Sequence, residues 1–228
     1  LLGSRKLYNY CKLFGFGEKT GIGIGGERIG ILHQPERGDG LTITRLPMGH
    51  AASTTPMQVH NAMATIANGG VLMKPKFINR VFDKTGKTIT PFNIKPKRRV
   101  VSKNVATSLT EMLVSVVSNE GTARNAKIKG FNIAGKTGTT QKLINGKYSH
   151  KHHVGSFVGY FPAEDPEIVI TVVVDEAKMK KGMLGYGGTV AAPAFKNVAE
   201  KIISYLGISP SDTSKSVASL NKIIEKTL

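Results

Sequence analysis

Carboxylates are scarce in this chain. Across 228 residues there are 15 aspartates and glutamates against 32 lysines and arginines, a formal net charge of +17. Such an excess favours polyanionic partners: nucleic acid, an acidic membrane surface or an anionic cell-wall polymer. The cations are scattered, however, and form no basic stripe interleaved with aromatics, so no nucleic acid is expected. Lys95-Pro96-Lys97-Arg98-Arg99 and Lys178-Met179-Lys180-Lys181 read as solvated loop charges. Cysteine is scarcer still. Cys11 stands alone, which excludes an internal disulfide and any cysteine-based metal site. Among Tyr8, Leu13 and Phe14 it reads as a small buried hydrophobe rather than a nucleophile. No apolar run reaches the roughly 18 residues of a membrane-spanning helix. The chain opens on Leu1 with neither an initiator methionine nor a signal-peptide pattern, so it is expected to be a piece of something longer.

Helical spacing of Leu7, Tyr10, Cys11 and Phe14 opens the chain, and Gly15 ends that run. Residues 21–40 are glycine-rich loop. Gly21-Ile22-Gly23-Ile24-Gly25-Gly26 fits neither the dinucleotide nor the Walker spacing, so a phosphate loop is rejected. Thr55-Pro56-Met57-Gln58 is a strong helix start: a capping threonine, a proline at the first turn and a glutamine placed for a capping box. Val59, Ala62, Met63 and Ile66 follow as an apolar stripe that Asn68-Gly69 closes. His60 reads as a packed or flanking histidine.

Residues 71–97 predict strand, turn, strand around Asp83-Lys84-Thr85-Gly86. Ser102 should cap a second helix burying Val105, Leu109, Met112, Leu113, Val116 and Val117. Residues 142–153 read as a polar excursion turning at Asn145-Gly146. Its His150, His152 and His153 are expected to be exposed loop residues rather than metal ligands, since no carboxylate or cysteine accompanies them. Two β-branched runs, Ser156–Tyr160 and Ile168–Val174, suit central strands. The last main helix is expected to begin at Pro193 and to bury Phe195, Val198, Ala199, Ile202 and Leu206. After Gly207, a Ser/Pro/Asp linker leads to a short amphipathic tail helix with Val217, Leu220, Ile223, Ile224 and Leu228.

The chain is organised around Phe131-Asn132-Ile133-Ala134-Gly135-Lys136-Thr137-Gly138-Thr139-Thr140-Gln141. Phe131, Ile133 and Ala134 read as a short strand. Gly135 and Gly138 leave the backbone bare for a ligand lying along a strand edge. Lys136 supplies charge, and Thr137 and Thr139 supply hydroxyl donors for one small anionic group. A bare Lys-Thr-Gly recurs by chance, and alone it would suit a strand with a solvated lysine. Its neighbours decide between the two readings. Gly49-His50-Ala51-Ala52-Ser53-Thr54-Thr55-Pro56-Met57-Gln58, Ala67-Asn68-Gly69-Gly70, Gly121-Thr122-Ala123, Ser156-Phe157-Val158-Gly159-Tyr160-Phe161-Pro162, Gly187-Gly188 and Ala191-Ala192-Pro193-Ala194-Phe195 complete an ordered set. From about Leu1 to Gly207 that set resembles the class B penicillin-binding proteins, serine D,D-transpeptidases that cross-link peptidoglycan. Their signature is Ser-x-x-Lys, then Ser-Asp-Asn or a relative, then Lys-Thr-Gly.

The resemblance implies an α/β fold of the α+β type. An antiparallel sheet is sandwiched by helices in a penicillin-binding transpeptidase or β-lactamase-like layout, incomplete at its N-terminus, with the Lys136 strand at an edge lining a cleft. It implies that the full enzyme forms an acyl-serine from a stem peptide ending in D-Ala-D-Ala and passes the acyl group to an amine. Carried over to matching positions, Lys136 interacts with the second motif and fixes the substrate. Thr137 and Thr139 bind the terminal carboxylate, Gly138 admits the substrate backbone, and the Thr139 N–H is half of an oxyanion hole. Lys136 and Thr139 are thus the catalytic candidates, and Thr137, Gly138 and Thr139 the substrate-binding ones. Implied partners are peptidoglycan stem peptides, β-lactams and the membrane proteins of the division or elongation machinery. Implied too is a site on the extracytoplasmic (periplasmic) face of the bacterial cytoplasmic membrane, held by an anchor outside these residues. No cofactor is implied.

Residues 1–207 are therefore expected to be the C-terminal part of a transpeptidase domain, and 208–228 a polar linker and tail helix. There are departures from the pattern. No credible Ser-x-x-Lys or Ser-x-Asn precedes Lys136. Ser219-Leu220-Asn221-Lys222 matches the nucleophile motif by letters alone, Ser102-Lys103-Asn104 is a helix cap, and His50 stands where the family suggests glutamine. These 228 residues are expected to be inactive alone. The alternatives are a non-catalytic module binding peptidoglycan or a division partner and, further off, a basic nucleic-acid-binding protein.

Overall fold

A computed structural model describes residues 2–37, 42–91, 93–179 and 184–211. The tail stripe Val217–Leu228, Ser219 and the lysines Lys180 and Lys181 lie outside the described residues. The chain divides into two compact units, Leu1–Ala106 and Thr107–Leu228.

The first unit runs α1 (Ser4–Leu13), β1 (Ile31–Leu32), α2 (Thr42–Arg45), β2 (Ala52–Ser53), α3 (Pro56–Ala67), β3 (Val71–Met73), β4 (Arg80–Phe82), β5 (Thr88–Pro91) and β6 (Pro96–Arg99). Its strands pair antiparallel as β1 with β2, β3 with β6, and β4 with β5. The reading of the α3 start holds in every part. Thr55 accepts a hydrogen bond from the Gln58 backbone N–H at 3.2 Å, and the Gln58 side chain accepts from the Thr55 N–H at 3.0 Å. Gln58 does more than the capping box requires. Buried at 1 % exposure, its amide donates at 2.8 Å to both the Glu18 and Ile29 carbonyls. One helix-start residue thereby ties down the glycine-rich loop, whose Ile24 and Ile29 stay exposed.

The β4–β5 turn also forms as read. The Asp83 carboxylate accepts from the Thr85 hydroxyl at 2.6 Å, the Thr85 N–H at 2.8 Å and the Lys87 N–H at 3.0 Å. Those bonds, the Thr85 hydroxyl foremost, hold its carboxyl below the usual range. The expected loop charges of residues 95–99 are corrected. Pro96–Arg99 is strand β6, and Arg98 donates to the Leu13 and Lys12 carbonyls at 2.8 Å, closing the C-terminus of α1. Arg98 also meets Glu18 at 2.6 Å, and Lys97 meets it at 3.4 Å. Partial burial raises the Glu18 carboxyl, but these two cations outweigh it and leave it below its ordinary value.

Helix α4 (Lys103–Ser115) begins at Ser102, whose hydroxyl accepts from the Val105 N–H at 3.3 Å. The second unit continues through β7 (Ala134–Ile144), β8 (Lys147–Phe161), β9 (Ile168–Asp175) and α5 (Gly187–Leu206). The strands form one antiparallel sheet in the order β7-β8-β9, so the Lys136 strand is an edge strand as expected. Alternation along β8 sorts its faces. Phe157 and Phe161 turn one way, each meeting Phe195 of α5 edge-on with ring centroids 4.8 and 6.1 Å away. Tyr160 turns the other way, fully buried, with its hydroxyl 2.6 Å from Thr110 of α4. Burial pushes the Tyr160 phenol up, and the Thr110 bond only partly offsets it. Helices thus cover both faces, and the core gathers Val117, Ala123, Ala126, Ile128, Ile133 and Ile208 around the phenylalanines and the alanines of α5.

Three expectations are corrected in this unit. Helix α5 starts at Gly187, six residues before Pro193, which lies inside it. It buries Ala191, Ala192, Phe195 and Ala199, whereas Val198 and Leu206 are 44 % and 53 % exposed. The α4 stripe is rotated likewise: Val105 and Met112 are exposed, and Thr110 occupies the seam because Tyr160 needs a polar partner. Residues 142–153 are no excursion. β7 and β8 run on as a hairpin to a turn at Asn145 and Gly146, both at positive φ (50° and 77°). His153 is buried at 6 % exposure with its ring edge-on to Tyr186. His152 lies 3.5 Å from Glu176, a carboxylate supplied by the end of β9. No metal-holding group of three His, Cys, Asp or Glu occurs among the described residues.

Candidate active-site edge

Strand β7 carries the motif inside the sheet rather than after a short strand. Ala134, Gly135 and Ile133 are buried, and exposure begins at Lys136. The register pairs Lys136 with Val158, Thr137 with Phe157, Gly138 with Ser156 and Thr139 with Gly155. Side-chain alternation therefore separates the candidates. Lys136 and Gly138 belong to the face of Val158 and Tyr160, and Thr137 and Thr139 to the face that α5 covers. The open edge of β7 is what the four share. Lys136 is exposed, and its ammonium bends back to donate to the Thr137 carbonyl at 2.9 Å.

The α5 side of the edge is built from residues far apart in sequence. The Gly187 N–H, at the first turn of α5, donates to the Thr139 hydroxyl at 3.2 Å. Thr122 lies 3.0 Å from Thr137, hydroxyl to hydroxyl, and the Asn125 amide donates to the Gly188 carbonyl at 2.9 Å. Two glycines permit this closeness. A Cβ on Gly187 would sit 2.2 Å from the Ser156 carbonyl oxygen and 2.5 Å from that of Gly138. One on Gly188 would sit 2.1 Å from the Thr122 carbonyl oxygen. Gly187 lets the helix abut the sheet and Gly188 lets it abut the Thr122 segment, which explains the glycine pair physically. Gly138 is held less tightly, since a Cβ there would crowd only the Ser156 hydroxyl, at 2.5 Å, which can rotate away.

Chemically, the edge presents an exposed cation, two hydroxyls and the positive end of a 20-residue helix. A helix N-terminus contributes about half a positive charge, and near Thr139 it favours an anion. Thr122, Asn125 and the Gly187 N–H were not assigned a role from sequence. Gly121-Thr122-Ala123 and Gly187-Gly188 are visible as members of the ordered set, but separations of 15 and 48 residues from their partners are not readable locally.

The second unit thus presents an antiparallel sheet with Lys-Thr-Gly in its edge strand and helix α5 against one face. The family model described as penicillin binding protein transpeptidase domain matches residues 1–200, and the chain belongs to that family. It is 41 % identical over 213 residues to stage V sporulation protein D of Bacillus subtilis, covering 92 % of this chain and 32 % of that protein. It is 34 % identical over 207 residues to the peptidoglycan D,D-transpeptidase FtsI of Buchnera aphidicola, covering 90 % of this chain and 34 % of that protein. Penicillin-binding protein 3 of Mycobacterium tuberculosis, solved with aztreonam, superposes with a TM-score of 0.83 at 30 % identity over 92 % of this chain and 48 % of that one. The chain spans about a third to a half of the length of the curated relatives it matches.

Proposed function

We propose that β7 forms one edge of the active-site cleft of a peptidoglycan D,D-transpeptidase, with the acylated serine and its lysine base supplied by another part of the polypeptide. One observation carries the reading: Lys136-Thr137-Gly138-Thr139 lies on an open strand edge, with the α5 N-terminus bonded to Thr139. A stem peptide adds to that edge as a further strand, which the small Gly138 admits. Its terminal carboxylate is held by the Thr137 and Thr139 hydroxyls in the positive field of α5. The Thr139 backbone N–H is one oxyanion donor, an interaction of about 3 kcal/mol in the transition state. Lys136 leaves the Thr137 carbonyl to meet the second motif and fix the substrate electrostatically.

In this reading residues 1–207 are the C-terminal part of the transpeptidase domain, and 208–228 a linker and tail. Division or elongation proteins of the membrane are the partners, and the domain works at the extracytoplasmic face, where peptidoglycan is assembled. The names of the relatives support the reading, as does the aztreonam complex of the mycobacterial protein. The test is acylation by a fluorescent penicillin. The full-length polypeptide is expected to label at a serine outside residues 1–228, and the isolated 228 residues to stay unlabelled. An adduct mapped to any serine of the isolated chain, Ser219 first, would overturn it.

A further inference from the structure

We propose that the first unit carries a docking cleft, beside the β3–β6 pair, for an extended segment of a partner protein in which carboxylates alternate with apolar side chains. The inference stands independently of the role given to β7.

Charge is concentrated here. Residues 71–100 hold nine lysines and arginines against one carboxylate, Asp83, and Asp83 is engaged by its own turn. Within this stretch a cleft of about 460 Å³ is lined by Gly21, Ile22, Lys74, Phe77, Ile78 and Lys95, among others. The Lys74 N–H donates to the Lys95 carbonyl at 3.0 Å, so the two lysines flank the same end of the β3–β6 pair, Lys74 just after β3 and Lys95 just before β6. The Lys74 stem lies along Gly21, where a Cβ would stand 3.4 Å from Lys74 Cε. Among the described residues no carboxylate pairs with Lys74 or Lys95. Beside these cations the cleft exposes large apolar groups: Phe77 at 68 % and Ile78 at 47 %.

Each candidate occupant must satisfy both features. An anionic wall polymer neutralises the lysines but leaves Phe77 and Ile78 in water. An anionic bilayer offers both chemistries, yet it is flat, and these side chains line a concavity. A second copy of the chain sets cations against cations, given its net +17. A peptide alternating glutamate or aspartate with leucine-like residues gives ammonium groups their carboxylates and covers the aromatic ring.

The test measures binding of the full-length polypeptide to a short fluorescent peptide of alternating glutamate and leucine. Comparators are an all-glutamate peptide and vesicles of mixed phosphatidylglycerol and phosphatidylcholine. The alternating peptide is expected to bind at least about tenfold tighter than the all-glutamate one. Lys74→Glu with Lys95→Glu is expected to weaken it by about tenfold or more, and Phe77→Ser by several-fold. All three positions are exposed, so melting temperatures should stay near wild type. Lys129→Glu, a cation of the second unit, should leave binding unchanged. Equal affinity for the all-glutamate peptide, or an equal loss in Lys129→Glu, would reduce the effect to bulk charge and refute the cleft. Binding to the vesicles without binding to the alternating peptide refutes it too, as does unchanged affinity in the double charge reversal.

Discussion

Replacing Gly187 by alanine isolates the contact between α5 and the β7 edge. The added Cβ would fall 2.2 Å from the Ser156 carbonyl oxygen and 2.5 Å from the Gly138 carbonyl oxygen, both backbone atoms in paired strands. Neither can yield as a flexible side chain would, so the first turn of α5 must withdraw by roughly 1 Å. That shift takes the 3.2 Å bond from the Gly187 N–H to the Thr139 hydroxyl out of range. Overpacking of this kind costs about 1–3 kcal/mol, and a lost hydrogen bond about 1 kcal/mol more. Alanine's better helix propensity returns up to about 1 kcal/mol. The net is about 2 kcal/mol, or a melting temperature lowered by about 4–8 °C in a domain of this size.

Gly25→Ala is the control, because a Cβ there meets nothing within 4 Å. It should move stability by no more than about 0.5 kcal/mol. Both variants are made in the full-length polypeptide and compared by thermal unfolding, with the penicillin acylation rate as second readout. Gly187→Ala should lose stability and acylate more slowly. Melting temperatures equal to that of Gly25→Ala would refute the steric reasoning.

Three further outcomes follow from the same geometry. Gln58→Ala should destabilise the first unit by about 1–3 kcal/mol, since it removes a buried side chain that donates to both the Glu18 and Ile29 carbonyls; denaturant unfolding measures it. Tyr160→Phe should cost about 1 kcal/mol through the lost Thr110 bond, read by the same method. Glu18 titrates lower folded than unfolded, so its ion pairs stabilise fully above the unfolded value near pH 4. That stability is lost as pH falls through the folded value. Glu18→Gln should therefore flatten the acid limb of a stability–pH profile below about pH 5, and an unaltered limb contradicts the pairing.

What was legible in the sequence was local or periodic. The capping box at Thr55 and Gln58 closes within four residues, and the Asp83 turn is made by atoms two to four residues apart. Both need only the neighbouring backbone. The edge position of Lys136 came from the ordered set of motifs rather than from any one of them. What was missed depends on distant partners. Pro193 suggested a helix start because prolines favour first turns, yet Gly187 and Gly188 begin α5 because contacts with Ser156 and Thr122 demand glycine. The polar stretch at 142–153 looked like loop until its own hairpin pairing is counted, and His153 is buried by Tyr186, which lies 33 residues on. Nor could spacing show that Thr110 would face the sheet, because its buried partner Tyr160 lies 50 residues away. At β7 the residue types are readable in the sequence, but it is the register with β8 that places Lys136 on one face and Thr137 and Thr139 on the other.

The most direct measurement of the central claim is the second-order rate of acylation by a fluorescent penicillin for Lys136→Ala and Thr139→Val in the full-length polypeptide. Lys129→Ala, an exposed cation away from the edge, serves as reference. The cleft-edge account predicts a loss of about a hundredfold or more for Lys136→Ala and about tenfold for Thr139→Val, which keeps its backbone donor. Lys129→Ala should match wild type. Rates for Lys136→Ala indistinguishable from Lys129→Ala, in folded protein, would contradict the account.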